Sequence, residues 1–232
     1  MIYIKRLFLS SKTLGVKLFA LVCVLTLTAY TSAQNNTNSP YTRFGYGRLE
    51  DPGFSRSQSM GGVAYGLRSR VNMNPANPAS NSSIDSTSFL FEFGVSGLYS
   101  NFSSGSNSVN TFISNLDYLA FQLPITKWMG LSAGLIPYSF VGYNYGTVDS
   151  ISSTLTQSQT FYGTGGISQA YVGIGATIWK RLSLGVNMYY MFGSINNVRT
   201  MTATSSSVTT YATNQTSNLY VQNLNFRYGL QY

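Results

Sequence analysis

Catalytic chemistry is poorly supplied in this chain. It has no histidine, one cysteine (Cys23) and six acidic side chains, Glu50, Asp51, Asp85, Glu92, Asp117 and Asp149. Only Glu50 and Asp51 adjoin, and Pro52 follows them, which reads as a turn rather than an acid/base pair. The many serines lack an imidazole to activate them. A Ser-Lys device needs a buried lysine, whereas Lys127 and Lys180 sit at turns. Ligands for a divalent metal are not clustered, and no cofactor is implied. The residues point away from an enzyme.

The polar chemistry that remains is guanidinium, glycine and proline. Arg43, Arg48, Arg56, Arg68 and Arg70 all precede a double Asn-Pro. In a chain with only 9% charged residues, such a concentration reads as a segment inside a polar lumen or at its mouth, with a solvated loop as the alternative. Gly61-Gly62 puts two residues without side chains in succession, so the backbone there can approach other backbone closely. Asn74-Pro75-Ala76 and Asn77-Pro78-Ala79 follow. Each proline fixes its own φ and pushes the preceding asparagine out of the α region, which makes a rigid, irregular turn. Pro137, with Gly134, interrupts an otherwise strand-like run. A missing N–H breaks a ladder bond and forces an edge, bulge or kink.

These residues are set among strands. After residue 83 the apolar period becomes two, as in Phe89, Phe91, Phe93, Val95 and Tyr99, opposed by Glu92, Gly94 and Ser96. Six strands are predicted, at about 89–99, 116–125, 131–147, 166–179, 182–195 and 219–232. Gly163, Gly165 and Gly166, and Gly173 with Gly175, read as strand glycines rather than a phosphate loop, because no helix follows them. The links after the second and fourth strands are short and basic (Lys127, Lys180, Arg181). Those after the first, third and fifth are long and rich in Ser, Thr and Asn. Outer-membrane barrels have short periplasmic turns and long external loops, so the N-terminus is expected on the periplasmic side. Trp128, Tyr143, Tyr145, Trp179, Tyr189 and Tyr190 stand near strand ends, where interfacial girdles form.

Composition agrees with a strand wall. Aromatics are 15% and charged residues 9%, against roughly a quarter charged in soluble domains. Residues 1–33 read as a secretory signal peptide, with Lys5, Arg6, Lys12 and Lys17 ahead of an apolar run and small residues before Gln34. Its removal takes four of the fourteen basic side chains and none of the six acids, leaving ten against six. It also takes Cys23, so no disulfide or thiol chemistry is left. No other segment approaches the ~20 apolar residues of a spanning helix, so a membrane would be crossed by strands. An exported chain with so small a positive excess is no candidate for nucleic acid.

The glycine pair, the Asn-Pro-Ala turn and their place just ahead of the first strand of an exported, aromatic-rich chain resemble the N-terminal hatch of the FadL/TodX family. These are outer-membrane transporters of long-chain fatty acids and other hydrophobic compounds. The resemblance spans residues 56 to about 200. It departs from the family where Leu67-Arg68-Ser69-Arg70 is basic and many members are acidic. It implies a transmembrane antiparallel β-barrel of about fourteen strands, of which about six are present, with residues 34–83 as hatch or plug and 84–232 as wall. About 8 strands is the least that closes such a barrel, so the chain is expected to be truncated, or to assemble with other copies.

The resemblance also implies a mechanism. A hydrophobic ligand of long-chain fatty acid type descends a groove lined by Phe112, Phe121, Phe140 and Tyr143. Its anionic headgroup meets Arg43, Arg56, Arg68 or Arg70. It then leaves sideways into outer-membrane lipid at a kink formed by Gly134 and Pro137, beside the hatch motif Gly61, Gly62, Asn74, Pro75 and Ala76. The alternating, aromatic C-terminal residues look like a signal for barrel-insertion machinery. The alternative function is a non-transporting plugged barrel that binds or scaffolds surface or secreted proteins.

Overall fold

The period-two pattern becomes six long antiparallel strands in the computed structural model, which describes residues 37–51, 53–105, 107–152, 155–179, 181–205 and 211–232. The expected signal peptide over residues 1–33, the tail at 34–36 and Lys180 lie outside the described residues. A two-residue strand, β1 (Arg48–Leu49), precedes β2 (Leu90–Ser104), β3 (Asn107–Thr126), β4 (Met129–Ser152), β5 (Leu155–Trp179), β6 (Leu182–Ser205) and β7 (Tyr211–Gln231). The sheet order is β2-β3-β4-β5-β6-β7, with β1 joined to β4. The fold is all-β. The helical content described is one five-residue helix, α1 (Ser55–Ser59), and two 3-10 turns, Pro40–Arg43 and Pro78–Ser83.

The strands outrun their predicted ends. The Ser/Thr/Asn-rich stretches at 100–108 and 200–217, expected as loops, continue the ladders as far as Ser104 opposite Asn107 and Ala203 opposite Tyr211. The link after the third strand does the same, up to Ser152 opposite Leu155. These stretches are mostly Ser, Thr, Asn and Gly with scattered apolar side chains, so no sustained apolar alternation marks them, while the backbone ladder needs none. At 25 residues, β5 reaches about 80 Å at ~3.3 Å per residue, where ~9–11 residues cross a bilayer.

In the lower halves the register sorts the side chains cleanly. Phe91, Phe121, Ala133, Val172, Met188 and Phe226 form one unbroken row across six strands, and Phe93, Leu119, Leu135, Ala170, Tyr190 and Leu224 form the next. Most of the large members of these rows are exposed. On β6 the outward residues run from Leu184 to Phe192, about 27 Å along the strand, which matches the ~25 Å apolar band of outer-membrane strands. Large contiguous exposed apolar patches mark faces that contact protein or membrane. The opposite face carries Gln122, Ser132 and Asn187, all buried, and the N-terminal segment packs there.

Candidate functional site

The double Asn-Pro-Ala builds a repeated clasp. Asn74 Oδ1 accepts the Ala76 N–H at 3.1 Å, and Asn77 Oδ1 accepts the Ala79 N–H at 3.1 Å. With each asparagine held extended by the following proline, its amide nitrogen is free to reach back along the chain. Asn74 Nδ2 donates to the carbonyls of Ala64 (2.6 Å) and Leu67 (3.0 Å), and Asn77 Nδ2 to Tyr65 (2.8 Å). Pro78–Ser83 then turns as a 3-10 helix whose residues 78–82 are buried.

What receives this turn is a row of glycines. Gly130, Gly175, Gly185 and Gly229 are directly opposite one another on β4, β5, β6 and β7. A Cβ at Gly130 would land on the Asn81 carbonyl oxygen, at Gly175 on that of Pro78, at Gly185 on the Pro78 backbone, and at Gly229 on Asn77 Oδ1. Four strands thus leave out side chains at one level so that two backbones can meet. Hydrogen bonds fasten the seat on both sides. Asn187 Nδ2 and the Tyr189 hydroxyl both donate to the Pro75 carbonyl at 2.9 Å, Asn81 Nδ2 donates to Ser132 Oγ at 2.9 Å, and Gln122 Nε2 to the Asn81 carbonyl at 3.1 Å. On β2, Glu92 accepts the Met73 N–H at 2.8 Å.

Gly61 and Gly62 do a different job from the one their lack of side chains suggests. Nothing lies within 4 Å of where a Gly61 Cβ would be, and a Gly62 Cβ would meet the end of the Asp51 side chain, at 3.0 Å, and no backbone. Their φ values of +70° and +86° turn the chain at the end of α1, where the Gly62 N–H reaches the Ser57 carbonyl at 2.8 Å. Left-handed geometry, not close approach, is what requires glycine there.

The second feature is an interruption of the sheet. β3 and β4 share a ladder only from Leu119 opposite Leu135 down to Thr126 opposite Met129. Gly134 lies inside this paired part, beneath Tyr171, and Pro137 just above it, at a register shift toward Ser139. Beyond that point the N-terminal segment takes the place of β3 along β4. The Glu50 N–H donates to the Tyr138 carbonyl at 3.0 Å, β1 pairs with Ser139 and Phe140, and the Ser39 N–H donates to the Gly142 carbonyl at 2.8 Å. On the other side Asn38 Nδ2 reaches Thr111 Oγ1 on β3 at 3.4 Å. Residues 38–50 therefore bridge the split. Below them remains an apolar cavity of about 240 Å³, among whose lining residues are Leu116, Tyr118, Ile136, Pro137, Phe140 and Phe192. Tyr118 also stacks on Phe54, with ring centroids 3.9 Å apart.

Gly47 is the hinge of this bridge. Its φ is +86°, and a Cβ would run into the Phe140 carbonyl oxygen and the Val141 side chain. Gly47→Val is expected to free β1 from β4. The left-handed backbone alone costs about 1–2 kcal/mol for an L-residue. Faster amide exchange at Arg48 and Glu50, with the glycine-row contacts unchanged, is the result to look for; unchanged exchange would contradict the assignment.

The arginines do not converge. Arg43 lies over the Phe161 ring on the upper part of the inner face. Arg56 is exposed, touching Ser69 at 3.5 Å. Arg68 ties the segment to β6 through Ser183 at 2.8 Å. Arg70 lines a rim cavity with Lys127 and Trp128. Arg48 forms an ion pair with Glu50 at 2.6 Å.

The expected groove of Phe112, Phe121, Phe140 and Tyr143 does not form either. A register shift at Gly94/Val95 reverses the parity of β3, so Phe112 at 70% exposure joins Phe121 on the outward face. Phe140 and Tyr143 are buried beside the N-terminal segment. Of the aromatics expected at interfaces, Trp128, Trp179 and Tyr190 are exposed, while Tyr143 and Tyr189 are buried on the inner side.

No curated protein and no solved structure matches the chain. The BamG family model matches residues 15–232. That match overturns the resemblance to FadL/TodX transporters, and with it fatty-acid transport and a hydrophobic ligand as main partner. The motif that carried the resemblance explains why it misled: here its glycines turn the chain at a helix end and its asparagines clasp a turn, roles that say nothing of what the sheet is for. With nearly its whole length matched, the chain belongs to the BamG family.

Proposed function

We propose that this protein serves outer-membrane protein assembly as a non-transporting, plugged β-barrel that binds and positions components of the barrel-assembly (Bam) machinery. The match to BamG over residues 15–232 carries this reading. The protein is associated with the outer membrane. The outward apolar rows suit a multi-pass strand wall. The inner face suits a plug fastened along residues 73–83, with the N-terminus periplasmic. β2 and β7 present long edges, and open edges invite unwanted pairing, so closure through further strands or further copies fits the proposal. The role is binding rather than catalysis.

The test is recovery of a tagged full-length chain from outer membranes in mild detergent, with the barrel-assembly components quantified beside it. Depletion of the protein should also lower the amount of folded, heat-modifiable barrel proteins. Recovery without any assembly component, together with unchanged barrel folding on depletion, would end the proposal.

A further inference from the structure

High on the inner face, two guanidiniums meet without a carboxylate. Arg43, delivered by the Pro40–Arg43 turn, lies 3.8 Å from the Phe161 ring centroid, and Arg199 of β6 lies 5.5 Å from the same centroid. Arg43 Nη1 donates to the Tyr145 hydroxyl at 3.1 Å, and Arg199 Nη2 to Gln159 Oε1 at 2.9 Å. Both are half-buried. Among the described residues the one ion pair is Arg48 with Glu50, so neither of these two charges is neutralised. Arg199 Nε is fully buried with no hydrogen-bond partner. Beside them is a cavity of about 240 Å³ whose further lining includes Tyr143, Asn197, Gln215 and Ser217.

Two like charges held half-buried against one ring repel each other, and each pays for lost hydration. Their cation–π contacts hold the side chains in place but leave the charge uncompensated. Elements far apart in the chain deliver them to one polar cavity, with fork-shaped donors to spare. We propose that this cavity binds a phosphate-class oxyanion, with Arg43 and Arg199 as its two cationic arms. Guanidinium forks suit phosphate geometry, and two charges suit a dianion better than a single carboxylate. The site is reached from water: Tyr143 stands six residues above Pro137 on β4, about 20 Å along the strand beyond the apolar rows, and on the opposite face of the sheet. The phosphate is therefore free in solution or carried on a polar headgroup that reaches inward. This inference is independent of the assembly reading.

The experiment is calorimetric titration of the full-length protein in detergent with inorganic phosphate at constant ionic strength, with acetate as comparator. Lipid bilayer discs containing lipid A, with and without its phosphates, form the second arm. The variants are Arg43→Gln, Arg199→Gln and, as a remote control, Arg56→Gln. Saturable phosphate binding that weakens about tenfold or more in either site variant and is unchanged in the control supports the site, tenfold being one lost charge-assisted bond. Binding seen only with phosphorylated lipid A, and lost in the same variants, supports the site and assigns the source as headgroup. No saturable binding of either probe, or equal weakening in Arg56→Gln, overturns it. Should Arg43→Gln disturb the N-terminal bridge, as judged by heat-modifiability, Arg199→Gln alone decides.

Discussion

Gly175→Val is expected to unseat the N-terminal segment. A Cβ there falls on the Pro78 carbonyl oxygen and lies 3.0 Å from the Asn81 Cβ and the Ser82 nitrogen. These are mostly backbone atoms of a turn that is itself clasped on both sides, so no flexible side chain can swing away. Overpacking typically costs about 1–3 kcal/mol, and a β-branched group against fixed backbone belongs at the upper end. The observable is proteolysis: residues 60–83 should become cleavable while the strands stay protected, and the unfolding temperature in detergent should fall. Gly66→Ala is the matched control, since nothing lies within 4 Å of its Cβ and its φ is not positive. Equal protection of the segment in Gly175→Val and in the unaltered protein would show that the glycine row is not its seat.

Asn77→Leu should be nearly as damaging, for a polar reason. The side chain is 6% exposed, and it accepts from the Ala79 N–H while donating to the carbonyls of Tyr65 and, at 3.3 Å, Leu230. Leucine fills a similar volume and satisfies none of these. Each buried group left unpaired costs about 1–3 kcal/mol, so a loss of around 3 kcal/mol is expected. Asn77→Asp keeps the acceptor but aims a charged oxygen at the Tyr65 and Leu230 carbonyls, so it should be no milder than Asn77→Leu. Urea midpoints in mild detergent measure this. A double-mutant cycle with Gly229→Ala, whose Cβ would also meet Asn77 Oδ1, should be strongly non-additive, because both changes strike one contact. Additive losses would mean that the clasp and the seat are separate.

Much of the wall could be read from alternation. Phe89 to Tyr99, the stretch 166–179 and the last residues from Phe226 to Tyr232 each show one apolar face, and each is strand in the structure save the end residues Phe89 and Tyr232. The turn at Lys127-Trp128 was equally plain. The upper halves were not, because a strand dominated by Ser, Thr and Asn shows no sustained amphipathic alternation, and these residues look alike in loop and ladder. The faces of Phe112 and Phe121 were also hidden. They depend on a single register shift opposite Gly94, which no local pattern announces.

The rigid, irregular turn at residues 74–79 follows from proline stereochemistry and needed no partner to be foreseen; the asparagine clasp within it did not show in the sequence. Its purpose did need one. Gly130, Gly175, Gly185 and Gly229 are unremarkable singly; they become a seat because three successive ladders place them at one level. Arg43 and Arg199 are likewise ordinary cations until the N-terminal turn bonds to β4 and sets one beside the other. Family membership lay in the pattern of the whole chain from residue 15 on, not in the short motif that suggested a transporter. Short-range preference is written residue by residue, since it arises from φ, ψ and the side chain next door. Register, the pairing of backbones across a sheet and the meeting of distant charges are properties of closed ladders, and they exist once the chain has folded.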